Sequence, residues 1–406
     1  MRILYIHQYF RTPEEGGAIR SYYLAKGLAD AGHHVDLLTG YDGKHYKKEF
    51  IDGIHVHYLP ISYAQDFDFS QRIKAFLRFV MLAILKAAEL EKIDVSYISS
   101  TPLSTGIIAL YLKWKYKIPY FFEVRDLWPE APIQMKAIRN RWLKHQLYRL
   151  ERRIYRNAKA IVALSPGSQQ HISDIVPKQP VLLIPNMSDC NFFRKAEKNS
   201  YHELQFDVMD KFVVSYFGAV GQVNRLSYLL DAAEACKRQM LLEVVFLIAG
   251  DGSELASIHQ QAKDRQLDNV RFVPYHNKYG LLSLLNITDA AYISFADLPV
   301  LRYCSPNKLF DALAAGKLCI TNTSGWMQQM LEENQCGFYT DPHRPDDFVK
   351  SIAPFVNDRN LLDDYQNNAR SLAEREFNRQ QQVEKLRSLI EEGELKPVAK
   401  AYTLPV

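Results

Sequence analysis

Apolar and polar positions along this chain fall into two successive series of short apolar runs, each run followed by a stretch with helical spacing. Residues 2–9 read as a buried strand. The turn-rich loop TPEEGGAIR then leads into a helical pattern over 21–31 that Gly32 ends, and 35–39 is another strand. This β–loop–α–β order opens a doubly wound sheet, in which ligands collect at the carboxyl ends of the strands. A long helical pattern over 71–91 comes next. Strand 95–99, helix 104–116, strand 119–124, a helix over 136–157 and strands 160–164 and 181–185 complete the first series. The second has strands at 212–217, 244–249, 270–273, 290–295 and 318–322, with helices at 226–239, 305–316 and 381–391.

Apolar content falls between Asp189 and Asp210, and 406 residues exceed one ordinary core. The expected division is a first Rossmann-like domain over 1–200, a second over 201–370, and closing helices with a tail over 371–406. Five cysteines without a CxxC pair argue against a disulfide framework or a zinc site and fit reduced thiols. The start MRILYIHQYF lacks the apolar core and cleavage site of a signal peptide, and no apolar run approaches the ~20 residues that span a bilayer. A cytoplasmic protein is expected.

Residues 302–320, RYCSPNKLFDALAAGKLCI, concentrate anion-binding chemistry at a helix start. Ser305 is suited to the N-cap and Pro306 to the first helical position, while Gly316 closes the helix. The unpaired N–H groups of Asn307 and Lys308, the helix dipole and the Lys308 charge together suit a diphosphate. Asp311, one turn deeper, suits a ribose diol. An ordinary capped helix with a surface lysine is the plain alternative. Upstream, the loop GAVGQVN after strand 212–217 supplies Gly221 for close phosphate approach, with Asn224 and Arg225 as polar arms, though without a full GxGxxG pattern. The loop RDLWPEAP follows strand 119–124, which places Arg125, Asp126, Trp128 and Glu130 where such a sheet presents its ligand groups; an Arg–Asp pair tying the loop down is the alternative. Gly16 and Gly17, with Arg20 just beyond, form the first βα loop.

The 302–320 stretch resembles the donor-binding motif of the retaining glycosyltransferases of family 4. Together with EVRDLWPE it is more similar to the WbuB-like bacterial surface-polysaccharide branch. The wider family places two glutamates eight positions apart, the first contacting the donor sugar and the second the ribose; here those positions hold Tyr303 and Asp311. Where the family often has a His-Asp pair near the reacting sugars, this chain has Arg125 and Asp126. The resemblance implies a GT-B fold, two Rossmann-like domains facing a central cleft, with the last helices crossing back to the first domain. It also implies transfer of a sugar from a nucleotide diphosphate donor, a UDP-sugar above all, with retention. Asp126, Lys308 and Arg125 are then the catalytic candidates. Gly221, Asn224, Arg225, Tyr275, Ser305, Asn307, Lys308 and Asp311 are the donor-binding candidates, Tyr275 bordering the base. Gly16, Gly17, Arg20, Trp128 and Glu130 are left for the acceptor side. With no His-rich ligand cluster, no cofactor or metal is expected. A sugar-nucleotide epimerase of the same fold and a non-catalytic nucleotide-sugar-binding protein, the latter motivated by Tyr303, are the rival readings.

Charge bears on the acceptor. Between Lys136 and Lys159 nine basic residues face one acid, Glu151, so this window is net +8 in a chain of net +4 and the remainder is net −4. Arg149, Arg152, Arg153 and Arg156 fall on or near one helix face, while the helix over 71–91 carries a broad apolar band from Ile73 to Leu85. Nucleic-acid stacking motifs are absent, so no nucleic acid is expected. An anionic membrane surface and a polyprenyl-diphosphate-linked saccharide fit the pattern, which predicts an enzyme peripheral on the inner face of the cell membrane. A core helix with a solvated basic face is the alternative.

Overall fold

The computed structural model describes residues 1–15, 19–62, 67, 69–274 and 278–393. The candidates Gly16, Gly17 and Tyr275 lie outside them. Two compact units emerge: unit 1 takes Met1–Pro185, Tyr303–Ser305 and the described chain from Gln380 on, and unit 2 takes Asn186–Arg302 and Pro306–Arg379.

The strands of unit 1 are β1 Arg2–Ile6, β2 His34–Tyr41, β3 Lys47–Ile51, β4 Ile54–Pro60, β5 Val95–Ser99, β6 Tyr120–Val124, β7 Ala160–Ala163 and β8 Val181–Leu183. They form one sheet in the order β3-β4-β2-β1-β5-β6-β7-β8. Every pairing is parallel except that of β3 with β4, and β1, β5 and β6 are buried almost throughout, as strands covered on both faces of a parallel sheet are. Strand order reverses between β1 and β5, which makes their carboxyl ends the place for ligand groups. The helices are α1 Arg20–Asp30, α2 Phe69–Glu89, α3 Thr105–Tyr116, α4 Glu130–Gln134, α5 Arg141–Asn157 and α6 Pro166–Ile175.

Two features depart from the periodicity. The β3–β4 hairpin turns on Asp52 and Gly53, both at positive φ (46° and 86°), between the paired Ile51 and Ile54; this is the Asp-Gly chemistry of a two-residue hairpin. The basic helix expected over 136–157 begins at Arg141 instead. Lys136 takes a left-handed φ of 62°, and Asn140 caps the new helix by accepting a hydrogen bond from the Leu143 N–H at 3.0 Å.

Unit 2 repeats the plan. Its helices are α7 Ser200–Gln205, α8 Ser227–Arg238, α9 Leu255–Asp264, α10 Lys278–Ile287, α11 Asn307–Ala314, α12 Trp326–Glu333, α13 Pro345–Asn357 and α14 Arg359–Glu376. Strands β9 Phe212–Phe217, β10 Val244–Ala249, β11 Val270–Val273, β12 Ala290–Ile293, β13 Leu318–Thr321 and β14 Gly337–Tyr339 form a parallel sheet in the order β11-β10-β9-β12-β13-β14. Its reversal falls between β9 and β12. Helix α15, Arg379–Glu392, packs in unit 1 against α1, where Val383 fills the space a side chain at Gly27 would need.

Helix α11 starts one step later than the sequence suggests. Pro306 is the N-cap residue (φ −79°, ψ 133°) and no side chain caps the helix, so Ser305 is not its cap. The extended ψ at Pro306 delays helical dihedrals to Asn307, and Tyr303–Ser305 belong to unit 1.

Candidate functional site

In unit 2 the donor candidates gather at the carboxyl end of β9. Gly218 follows this strand at φ 125°, and a Cβ there would stand 3.4 Å from the Lys308 Nζ. A second glycine turn braces the loop, since a Cβ on Gly250 would strike the Gly218 carbonyl oxygen at 1.9 Å; only glycine admits this approach. Lys308, on the first turn of α11, donates to the Tyr216 hydroxyl at 2.7 Å, and Tyr216 in turn donates to the Ala219 carbonyl. Burial pushes the Lys308 ammonium down to about 7. The first N–H groups of α11, those of Asn307 and Lys308, have no carbonyl one turn back within the helix, and they lie beside this lysine.

One turn along α11, Asp311 is pushed up to about 7, chiefly by burial; Lys278 opposes that shift and Asp189 adds to it. Asp189 accepts from Lys278 at 2.6 Å and from Arg379 at 2.8 Å. The remaining polar arms of the loop are turned to its own support. Asn224 exchanges contacts with Ser294, whose hydroxyl donates to the Asn224 carbonyl at 2.6 Å, while the Arg225 guanidinium lies over the Tyr228 ring, 5.1 Å from its centre. Gly221 has open space around it. Thus Lys308, Asn307, Asp311 and the Gly218–Gly221 loop are brought together, whereas Ser305 groups with unit 1.

Unit 1 collects a polar network at the ends of β1, β5 and β6. Glu123, fully buried, accepts from Arg20 (2.9 Å), Tyr97 (2.7 Å) and Ser99 (2.7 Å). Burial drives its carboxyl upward, but Arg20, Arg125 and these hydrogen bonds outweigh it and hold the group below its ordinary value. Arg20 is itself 2% exposed and also donates to the Ile184 and Pro185 carbonyls, so its guanidinium is spent in the interior rather than on an acceptor. Arg125 approaches His7 Nε2 at 3.3 Å. Burial, then Arg125, lowers His7 well below the ordinary imidazole range, so the ring is neutral: Nε2 accepts from Arg125 and Nδ1 donates to Ser21 Oγ at 2.8 Å. Asp126 is exposed and accepts from the Thr101 hydroxyl at 2.9 Å. Trp128 sets its edge against Phe76, and Glu130 accepts from Gln134 and Tyr148.

The sequence reading missed Tyr216, Glu123 and His7, each a polar residue in or beside an apolar strand, where nothing but the folded partner marks it. The four arginines Arg149, Arg152, Arg153 and Arg156 are all exposed on α5, and Ile73, Leu77, Met81 and Leu85 form an exposed line along α2 at spacings of four. Helix α3 packs against both. Trp142, on the first turn of α5, is 69% exposed. Glu151, the one acid of the basic window, turns inward beside Tyr155, and burial pushes its carboxyl up to about 8. Among the described residues, no helix is long and apolar enough to cross a membrane.

Comparison with known proteins agrees with this arrangement. Residues 15–187 match the family described as glycosyl transferase 4-like domain, and residues 198–372 match glycosyl transferases group 1. The putative colanic acid biosynthesis glycosyl transferase WcaI of Escherichia coli K12 is 28% identical over 148 residues, 35% of this chain; the match spans only 34% of that relative's length. Among solved structures, sucrose-phosphate synthase of Thermosynechococcus elongatus superposes with a TM-score of 0.76 at 16% identity, covering 96% of this chain and 98% of the other. HepE of Anabaena in complex with UDP-glucose gives 0.70 at 16% identity over 97% and 100%. WaaG, a glycosyltransferase involved in lipopolysaccharide biosynthesis, gives 0.68 at 14% over 96% and 100%. With both of its units matched to glycosyltransferase families and its fold shared with these enzymes, the chain belongs to the GT-B glycosyltransferases.

Proposed function

We propose that the chain transfers a hexosyl or N-acetylhexosaminyl residue from a UDP-sugar to a polyprenyl-diphosphate-linked saccharide, with retention, in the synthesis of a surface polysaccharide such as O-antigen or capsule, and that it belongs to the WbuB-like branch of its family. The observation that carries this reading is the pairing on one helix start: Lys308 held at the Gly218 loop, with Asp311 one turn on. The lysine and the free N–H groups of α11 answer the diphosphate, and Asp311 answers the ribose diol. As the bond to the donated sugar breaks, negative charge grows on the departing diphosphate, and these preset donors stabilise it without a metal. Asp126, exposed after β6, is assigned to the acceptor hydroxyl or to the positive charge developing on the donor sugar, with Arg125 oriented by His7 beside it. The exposed apolar line of α2 and the arginines of α5 support attachment to the inner face of the cell membrane, where the acceptor's lipid would lie.

The test is incubation with a panel of nucleotide sugars and a lipid-linked saccharide. Transfer with release of UDP and an unchanged anomeric configuration is the expected result. Epimerised free donor would instead support the isomerase reading, and binding without turnover the non-catalytic one that Tyr303 suggests.

A further inference from the structure

Unit 2 contains a cavity of about 190 Å³ apart from the groups assigned to the nucleotide, beyond the carboxyl ends of β12, β13 and β14. Its floor is fixed: Asn322 is buried and clasps the Phe295 backbone twice, accepting from the N–H at 2.9 Å and donating to the carbonyl at 2.8 Å. Its rim is charged and open. Asp297 stands between Arg302 at 3.6 Å and His343 Nε2 at 3.3 Å, and Asp341 accepts the His343 backbone N–H at 2.9 Å. Ser324 and Tyr339 add hydroxyls to the lining, and Tyr339 an aromatic ring as well.

Size and charge narrow the ligand. The volume corresponds to about six waters and lies below the roughly 300–1,000 Å³ of sites for drug-sized molecules, so it suits one sugar ring and not a nucleotide. Two carboxylates against one guanidinium give an anion no net attraction. A neutral ligand rich in hydroxyls finds carboxylate acceptors, guanidinium and hydroxyl donors and an aromatic edge within one small space. We propose that this cavity is a monosaccharide subsite, in which Asp297 and Asp341 accept from sugar hydroxyls and Arg302 donates to one. The subsite touches the donor machinery at its wall: Ala296, which lines it, donates its N–H to the Val223 carbonyl at 2.7 Å in the loop that carries Gly221 and Asn224. His343 packs edge-on against Tyr228, 5.8 Å between ring centres, and Tyr228 carries Arg225 on its ring.

Methyl glycosides of glucose, galactose, mannose, N-acetylglucosamine and glucuronic acid are titrated into the isotope-labelled full chain and followed by saturation transfer and amide shifts. At least one is expected to saturate at millimolar concentration and to shift the amides of 296–298, 322–324 and 339–343. Asp297→Asn and Asp341→Asn should each weaken it roughly tenfold or more, while UDP affinity stays within about twofold. Both substitutions are at the open rim, where neither unfolds the unit, and retained UDP binding confirms the fold. If no glycoside binds, or if binding is indifferent to both substitutions, the subsite is refuted, whatever UDP does. The source is read by adding the nucleotide sugar that carries the same residue. Loss of glycoside binding assigns the subsite to the donated sugar, and persistence assigns it to the acceptor saccharide. Only that assignment rests on the proposed donor reading; the binding does not.

Discussion

The Lys308 ammonium donates to the Tyr216 hydroxyl at 2.7 Å and stands 3.9 Å from the centre of the same ring. A tyrosine is a weak partner for a buried cation, and burial pulls the lysine down to about 7. Above that value the empty site is mostly uncharged there. Binding a diphosphate restores the charge, so at pH 8 nucleotide binding should take up close to one proton. Calorimetry in buffers of different ionisation enthalpy measures this number, and Lys308→Ala should abolish it. If the lysine chiefly meets charge growing on the leaving diphosphate, that variant also lowers kcat more than donor affinity; a rise in KM alone would refute the leaving-group role.

Asp311 titrates in the opposite sense. Its carboxyl, pushed up to about 7, accepts hydrogen bonds from a ribose only when ionised, so affinity for UDP should fall as pH drops below 7. Lys308 weakens binding above 7, and the two together give a bell with its maximum near neutrality. Asp311→Asn should remove the acid limb of that bell. Asp311→Ala should cost about 1.5–3 kcal/mol of nucleotide affinity, the worth of hydrogen bonds to a charged acceptor. Unaltered calorimetric affinity in Asp311→Ala would take the residue out of the site.

Arg20 and Glu123 are predicted to hold unit 1 together. Removing one partner of a buried pair strands the other charge, so Arg20→Ala should destabilise the unit by about 3–5 kcal/mol in denaturant unfolding. Arg20→Lys keeps the charge but not the planar fork that reaches Glu123 and two carbonyls, and should recover only part of the loss. A variant of wild-type stability but poor acceptor affinity would return Arg20 to the acceptor side.

Much of this was readable in the chain. Val244–Ala249 is a continuous apolar run and Phe212–Phe217 is broken only by Ser215, a pattern that in an alternating β–α chain fits covered parallel strands. The placement of Lys308 and Asp311 one turn apart on a single helix was readable from the proline that precedes it. The β3–β4 hairpin was not, since Lys47–Ile51 is mostly polar and exposed and its one mark is Asp52-Gly53. Helix α6 was missed for lack of apolar spacing, although Ser165 accepting from the Ser168 N–H, with Pro166 next, is a capping signal in the sequence. Tyr216 and Glu123 carry no local signal at all. A hydroxyl or carboxylate within an apolar strand is explained only by the lysine or arginine that folding brings to it.

Glu151 gives unit 1 a distinctive pH dependence. Burial raises its carboxyl to about 8 in the folded chain, against an ordinary value near 4.5, so between these the folded state binds the extra proton. Its contribution is fully present below pH 4.5 and is lost as pH rises through 8. Glu151→Gln keeps the shape and the neutral form. It should flatten the fall in Tm between pH 6 and 9 and be the more stable protein at pH 9, by an amount on the order of a few kcal/mol. Parallel melting curves for the two proteins across that range would show that Glu151 is not buried in the way described.

The inward turn of Glu151 leaves the outer side of α5 to Arg149, Arg152, Arg153 and Arg156, with the apolar line Ile73, Leu77, Met81 and Leu85 on α2 in the same unit. Each basic side chain near an anionic leaflet contributes on the order of 1 kcal/mol within a Debye length, and the apolar line adds insertion that salt does not screen. Replacing the four arginines by Gln should release the chain from vesicles rich in anionic lipid at low salt, while UDP binding stays as it was. Leu77→Ser with Met81→Ser should weaken the attachment that persists at high salt. The two effects separate charge from insertion, because only the first depends on vesicle composition. If the wild-type chain ignores anionic vesicles at low salt and glycosylates a soluble acceptor as well as a lipid-linked one, the basic helix is a solvated face and the membrane reading fails.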